Sequence, residues 1–63
     1  MDASDVLVDE LDKKIEGKKV WVASGQAQDY PEYQRICGEI RGLLLARQEI
    51  LDLKHKMETQ DDE

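Results

Sequence analysis

The stretch YQRICGEIRGLLLARQEI, residues 33–50, decides how this chain is read. Ile36, Leu43 and Ile50 recur every seven residues, and Met57 continues the row. Cys37, Ile40, Leu44 and Leu51 flank it, so one broad side of a helix is apolar. Within the same stretch Gly38 and Gly42 stand four apart, directly before three consecutive leucines. An interior glycine costs a helix about 0.5–1 kcal/mol relative to alanine. Projected at about 100° per residue, Gly38, Gly42 and Ala46 form a small-residue row nearly opposite Ile36 and Ile40. Two readings follow: the glycines are tolerated on a solvent face, or a second backbone crosses there at close range. Leu43, Leu44 and Leu45 together span more of the circumference than one partner helix covers, with Leu45 between the two faces, which favours a second contact surface.

Working outward, Pro31 suits a helix's first turn, and Asp29 with Glu32 fits a capping box, so this second helix is expected over about residues 31–57. Ahead of it, SGQAQDYP breaks the pattern; Gly25 suits a left-handed helix end, giving a turn over about 25–30. The first helix is expected over about 4–24, with Ser4 as N-cap and Asp5 in the first turn. Val8, Leu11, Ile15 and Val22 lie on one stripe, with Leu7 beside it. Gly17 interrupts that helix. The helix either ends there or runs on, and the stripe reaching Val22 favours continuity, because an isolated short strand would lack a partner. Pairs at i,i+4 are expected for Asp9–Lys13, Glu10–Lys14, Arg35–Glu39 and Asp52–Lys56. The fold class is therefore all-α: a two-helix antiparallel hairpin over 1–58, with a long second helix and an acidic C-terminal tail over 59–63.

Size and charge narrow the function. Sixty-three residues make one small domain of marginal stability, and a single cysteine, Cys37, cannot staple it internally. Net charge −6 argues against nonspecific nucleic-acid or anionic-membrane binding. No apolar run reaches the roughly 18–20 residues of a membrane span, and MDASDVLVDE lacks the basic start and apolar core of a signal peptide. Cytoplasmic synthesis is the expectation, and a lone reduced cysteine suits it.

Chemistry is not expected. His55 stands alone between Lys54 and Lys56, without an orienting partner. Cys37 lies on the apolar side with no histidine nearby in sequence, so it reads as a small hydrophobe. SGQAQ lacks the residues of a phosphate loop, and two helices are not expected to enclose a pocket of the usual ~300 Å³. No cofactor, metal or catalytic residue is assigned. Trp21 falls away from the main stripe; it either packs under the loop against Tyr33 or serves as a partner-facing anchor.

The turn leading to Asp29, Tyr30 and Tyr33, followed by Cys37, Gly38, Ile40, Arg41, Gly42 and Leu43, carries a resemblance. This DYxxY…CGxIRGL pattern resembles a family of small uncharacterised proteins of tailed bacteriophages, strongly over the C-terminal half and by pattern alone over the first helix. Pro31 is a slight departure. The resemblance implies a phage gene, often among head and packaging genes, and implies no activity or site residue. The expectation is a virion protein docking in several copies on a larger assembly such as portal or capsid. Its interface would comprise Gly38, Gly42, Ala46, Leu45 and Trp21, with Arg41 and Arg47 pairing with the assembly's carboxylates. The alternatives are an acidic regulator of a host or viral DNA-binding protein, and a self-associating four-helix dimer.

Overall fold

The structure, a computed structural model, describes residues 2–60. It is a helical hairpin of two elements, α1 (Ala3–Ala23) and α2 (Tyr30–Gln60), with no strand among the described residues. Helix α1 runs unbroken through Gly17. Its cap differs from expectation: Asp2, not Ser4, is the N-cap. The Asp5 amide donates to Asp2 Oδ1 at 3.0 Å while the Asp2 amide donates to Asp5 Oδ2 at 3.4 Å. Two backbone donors that the helix itself leaves free are thus satisfied reciprocally, something Ser4 could not do with the residue three positions on, Leu7. Asp2→Ala is expected to destabilise α1 by roughly 1 kcal/mol, read as a lower Tm in circular dichroism.

At the other end Ser24 closes α1, its amide donating to the Val20 carbonyl at 2.9 Å and its hydroxyl to that of Trp21 at 2.8 Å. Gly25 then turns the chain at φ 77°, a conformation in which a Cβ would be strained. Helix α2 begins one residue before Pro31. The Glu32 amide donates to Asp29 Oδ1 at 2.9 Å, and the Glu32 carboxylate accepts from the Gln28 amide at 3.1 Å. The reciprocal bond therefore lands one residue upstream of the expected box. Helix α2 also continues past Met57 to Gln60. The Thr59 hydroxyl donates back to the His55 and Lys56 carbonyls and satisfies acceptors in that last turn. The remainder of the expected acidic tail, 61–63, lies outside the described residues.

The helices meet along a seam. On α1 it uses Val8, Leu11, Ile15 and Val22; on α2, Ile36, Ile40, Leu43 and Ile50. Among the described residues Ile15 and Ile36 are buried, at 4% and 7% exposure. Polar residues occupy the same spacing: Arg47 falls between Leu43 and Ile50, and Lys54 follows Ile50 by four. Their charges pair across the seam. Arg47 Nε donates to Asp12 Oδ1 at 2.6 Å, Lys54 pairs with Asp5 and with Asp2, and Lys18 Nζ donates to Glu39 Oε1 at 2.7 Å. Helix α2 has 31 residues against 21 in α1, so the end of α2 overhangs and Met57 is left exposed. The hairpin measures 53 × 19 × 12 Å, one layer of helices thick.

Candidate functional site

A seam this narrow leaves apolar side chains outside it. Val6, Leu7 and Val20 on α1 and Leu44, Leu45 and Leu53 on α2 are exposed, along with both tyrosines. Scattered single hydrophobes are normal on any surface. Here the exposed ones include six aliphatic residues of Val or Leu type, while among the described residues two hydrophobic side chains are buried and the rest of the seam is half-buried.

The exposed set divides into two surfaces on α2. Gly38, Arg41, Gly42 and Leu45 follow one another at three- and four-residue spacing, with Ala46 adjoining, and all are exposed. Leu45 is 63% exposed, and a Cβ built on Gly38 or Gly42 would meet nothing within 4 Å. Neither helix of the hairpin packs on the small-residue row. Arg41 carries no ion pair among the described residues. On a different flank Tyr30, Cys37, Leu44 and Leu51 repeat every seven residues, the first and third exposed and the others half-buried. Tyr33 stacks on Tyr30 with ring centroids 6.3 Å apart and planes at 19°. Its phenol is held above its ordinary value first by the Cys37 thiol beside it.

Arg47 and Trp21 stand apart from the small-residue row. Arg47 does not face outward. Its guanidinium is bound to Asp12 of the same chain, because Arg47 sits at seam spacing where α1 presents that carboxylate. Trp21 is half-buried and lines an open groove with Lys14, Gly17, Lys18, Arg35 and Ile36, while the aromatic stack joins Tyr33 to Tyr30 instead. The groove measures about 530 Å³. It is a wide-open depression and not an enclosed cavity. Gly17 belongs to this lining, which sequence reasoning missed because it depends on how α1 and α2 lie side by side.

Of the four expected i,i+4 charge pairs, Asp9–Lys13 and Arg35–Glu39 form. Lys13 takes both Asp9, at 3.3 Å, and Glu10, at 3.6 Å, so the expected Glu10–Lys14 pair does not form. Asp52 accepts from Gln48 at 3.0 Å rather than pairing with Lys56. Arg35–Glu39 forms as expected at 2.7 Å.

These pairs set a pH dependence. The Lys18 ammonium, hydrogen-bonded to Glu39, holds that carboxyl below its ordinary value, and Lys54 does the same for Asp5. A carboxyl depressed in the folded state contributes stability above its unfolded pKa and loses it as pH falls through the folded one. Lys13 and Lys54 are raised by Asp9 and Asp5 respectively, so their contribution is intact below the ordinary lysine range and lost as pH climbs through the raised values. Helicity and Tm are expected to fall between about pH 5 and pH 2. Glu39→Gln should flatten part of that acid limb; an acid limb unchanged in the variant would show that Lys18–Glu39 does not contribute.

Among the described residues no cluster of three or more histidine, cysteine or carboxylate groups could hold a metal, and no helix is long and apolar enough to cross a membrane. The arrangement offers surfaces for contact. Compared with protein-family models, curated proteins and solved structures, the chain matches none. The fold and its surfaces define a two-helix hairpin with exposed apolar flanks.

Proposed function

We propose that this hairpin is a non-enzymatic interaction protein, a small phage virion component that docks in several copies on a larger assembly such as a portal or capsid. One observation carries the docking: large apolar side chains, Leu45 and Leu53 among them, stay uncovered while among the described residues Ile15 and Ile36 are the buried ones. Covering such surface is worth roughly 25 cal/mol per Å², and a symmetric assembly offers repeated grooves in which to do it. The phage and virion part rests on the DYxxY…CGxIRGL resemblance over Asp29 to Leu43. In this reading the helices run antiparallel, supported by ion pairs that link Asp5, Asp12 and Lys18 to Lys54, Arg47 and Glu39, descending on one helix as they rise on the other. The small-residue row with Leu45 and Arg41 forms the docking face, and Arg47 stays within the hairpin.

Mass spectrometry of purified particles of the encoding virus tests the reading. The protein is expected in every preparation, in a fixed multiple relative to the portal or capsid subunit. Its absence at good sequence coverage contradicts the proposal.

The flank of Tyr30, Cys37, Leu44 and Leu51 favours one second reading, a dimer of hairpins closing a four-helix bundle. Sedimentation of the pure chain separates the two, because a well-folded dimer at micromolar concentration would need no assembly.

A further inference from the structure

The groove beside Gly17 differs in charge from the rest of the molecule. The chain carries net charge −6, yet three of the six groove residues are cations: Lys14, Lys18 and Arg35. Lys18 and Arg35 share a single carboxylate, Glu39, each at 2.7 Å. Lys14 has no ion pair among the described residues, because Lys13 takes both nearby carboxylates. The groove therefore keeps a positive excess at its rim. Its apolar lining is Ile36 and Trp21, and beside them at Gly17 nothing lies within 4 Å of where a Cβ would stand.

We propose that this groove receives an acidic protein segment, which lays one apolar side chain over Gly17 between Trp21 and Ile36 and sets its carboxylates against Lys14, Lys18 and Arg35. The inference deepens the docking reading and rests on it. Charge complementarity selects the occupant. An uncharged or basic segment would leave Lys14 unpaired and Lys18 and Arg35 sharing one carboxylate, whereas an added carboxylate gains hydrogen bonds assisted by both charges. Nucleic acid and anionic membranes would present a far larger negative field to a chain that is itself strongly acidic. The open side suits a peptide passing through, with a single side chain as anchor.

Trp21 is the only tryptophan, so its emission reports on the groove directly. The test titrates the full chain, at low ionic strength, with short blocked peptides carrying one leucine flanked by aspartates and glutamates. Control peptides have lysines in place of the acids, or alanine in place of the leucine. The acidic leucine peptide is expected to shift Trp21 emission saturably to shorter wavelength and to raise the helical circular-dichroism signal and Tm, since a ligand held by the folded form draws the equilibrium toward it. Lys14→Glu should weaken binding about tenfold at low salt, with less effect as salt screens the charges. Gly17→Leu should abolish binding while keeping or raising helicity, because it fills the groove and improves helix propensity.

The inference is overturned if no acidic peptide changes emission, helicity or Tm, or if acidic and basic peptides act alike. It is equally overturned if Gly17→Leu binds as well as the parent, or if Trp21 emission shifts with protein concentration alone, which would make a second copy the occupant. The same samples separate this from the broader reading. A free chain that melts as a sturdy monomer without peptide contradicts docking altogether, whereas a marginal chain that ignores the peptides contradicts only the groove.

Discussion

Ile15→Ala is expected to leave the free hairpin largely unfolded. Ile15 is the most buried hydrophobic side chain among the described residues, and Ile36 on α2 is the other buried one. Removing most of a buried isoleucine costs about 2–5 kcal/mol, from lost transfer energy and the cavity left behind. A single-layer hairpin has nothing with which to collapse into that cavity. A domain of this size holds only a few kcal/mol in total, so the loss is comparable to the whole. Far-ultraviolet circular dichroism should show most of the helical signal gone at room temperature. The conservative Ile15→Val, costing about 0.5–1.5 kcal/mol, should retain a measurable transition. If Ile15→Ala melts within a few degrees of the parent, the seam around Ile15 is not what holds the hairpin together.

Gly42→Leu is expected to separate folding from docking. Gly42 is exposed in mid-helix with open space above it, so a leucine fits the free hairpin without displacing anything. Helix propensity should then rise by about 0.8–1 kcal/mol, lifting Tm by several degrees, since about 1 kcal/mol moves the Tm of a small domain by 4–8 °C. Against a partner backbone at close range, the same side chain is an obstruction. Docking should weaken by at least thirtyfold, which is about 2 kcal/mol and within the range of a central interface residue. Incorporation into particles, or retention on the isolated assembly, reads the second effect. A variant that is more stable and still assembles normally would show that the small row faces water in the assembled state too.

The residues that punctuate the chain made much of the fold legible before any coordinates. Gly25 takes the left-handed turn, Asp29 caps α2, and the stripe from Val8 to Val22 carries α1 through Gly17. The N-cap was not legible because Ser4 and Asp2 are both competent acceptors; the choice turns on Asp5, which reciprocates to Asp2. Arg47 was misplaced for a different reason. Tracing the apolar residues alone skips seam positions filled by cations, although its spacing of four from Leu43 and three to Ile50 was a usable signal. A long basic side chain can lie in a half-buried seam by extending its head to a carboxylate at the rim, as Arg47 does to Asp12. The competition of Lys13 and Lys14 for Glu10, and the groove it leaves positive beside Trp21, depends on rotamers and on how close α2 approaches. Sequence spacing does not contain that information.

Every surface described above follows from the hairpin being too thin to cover its own hydrocarbon. Thermal unfolding of the isolated chain, followed by circular dichroism across protein concentrations, tests this most directly. The account predicts a shallow, low-temperature transition at high dilution that sharpens and rises when the partner assembly is added. A steep, reversible, concentration-independent transition at high temperature, from a species that sediments as a monomer, would contradict it.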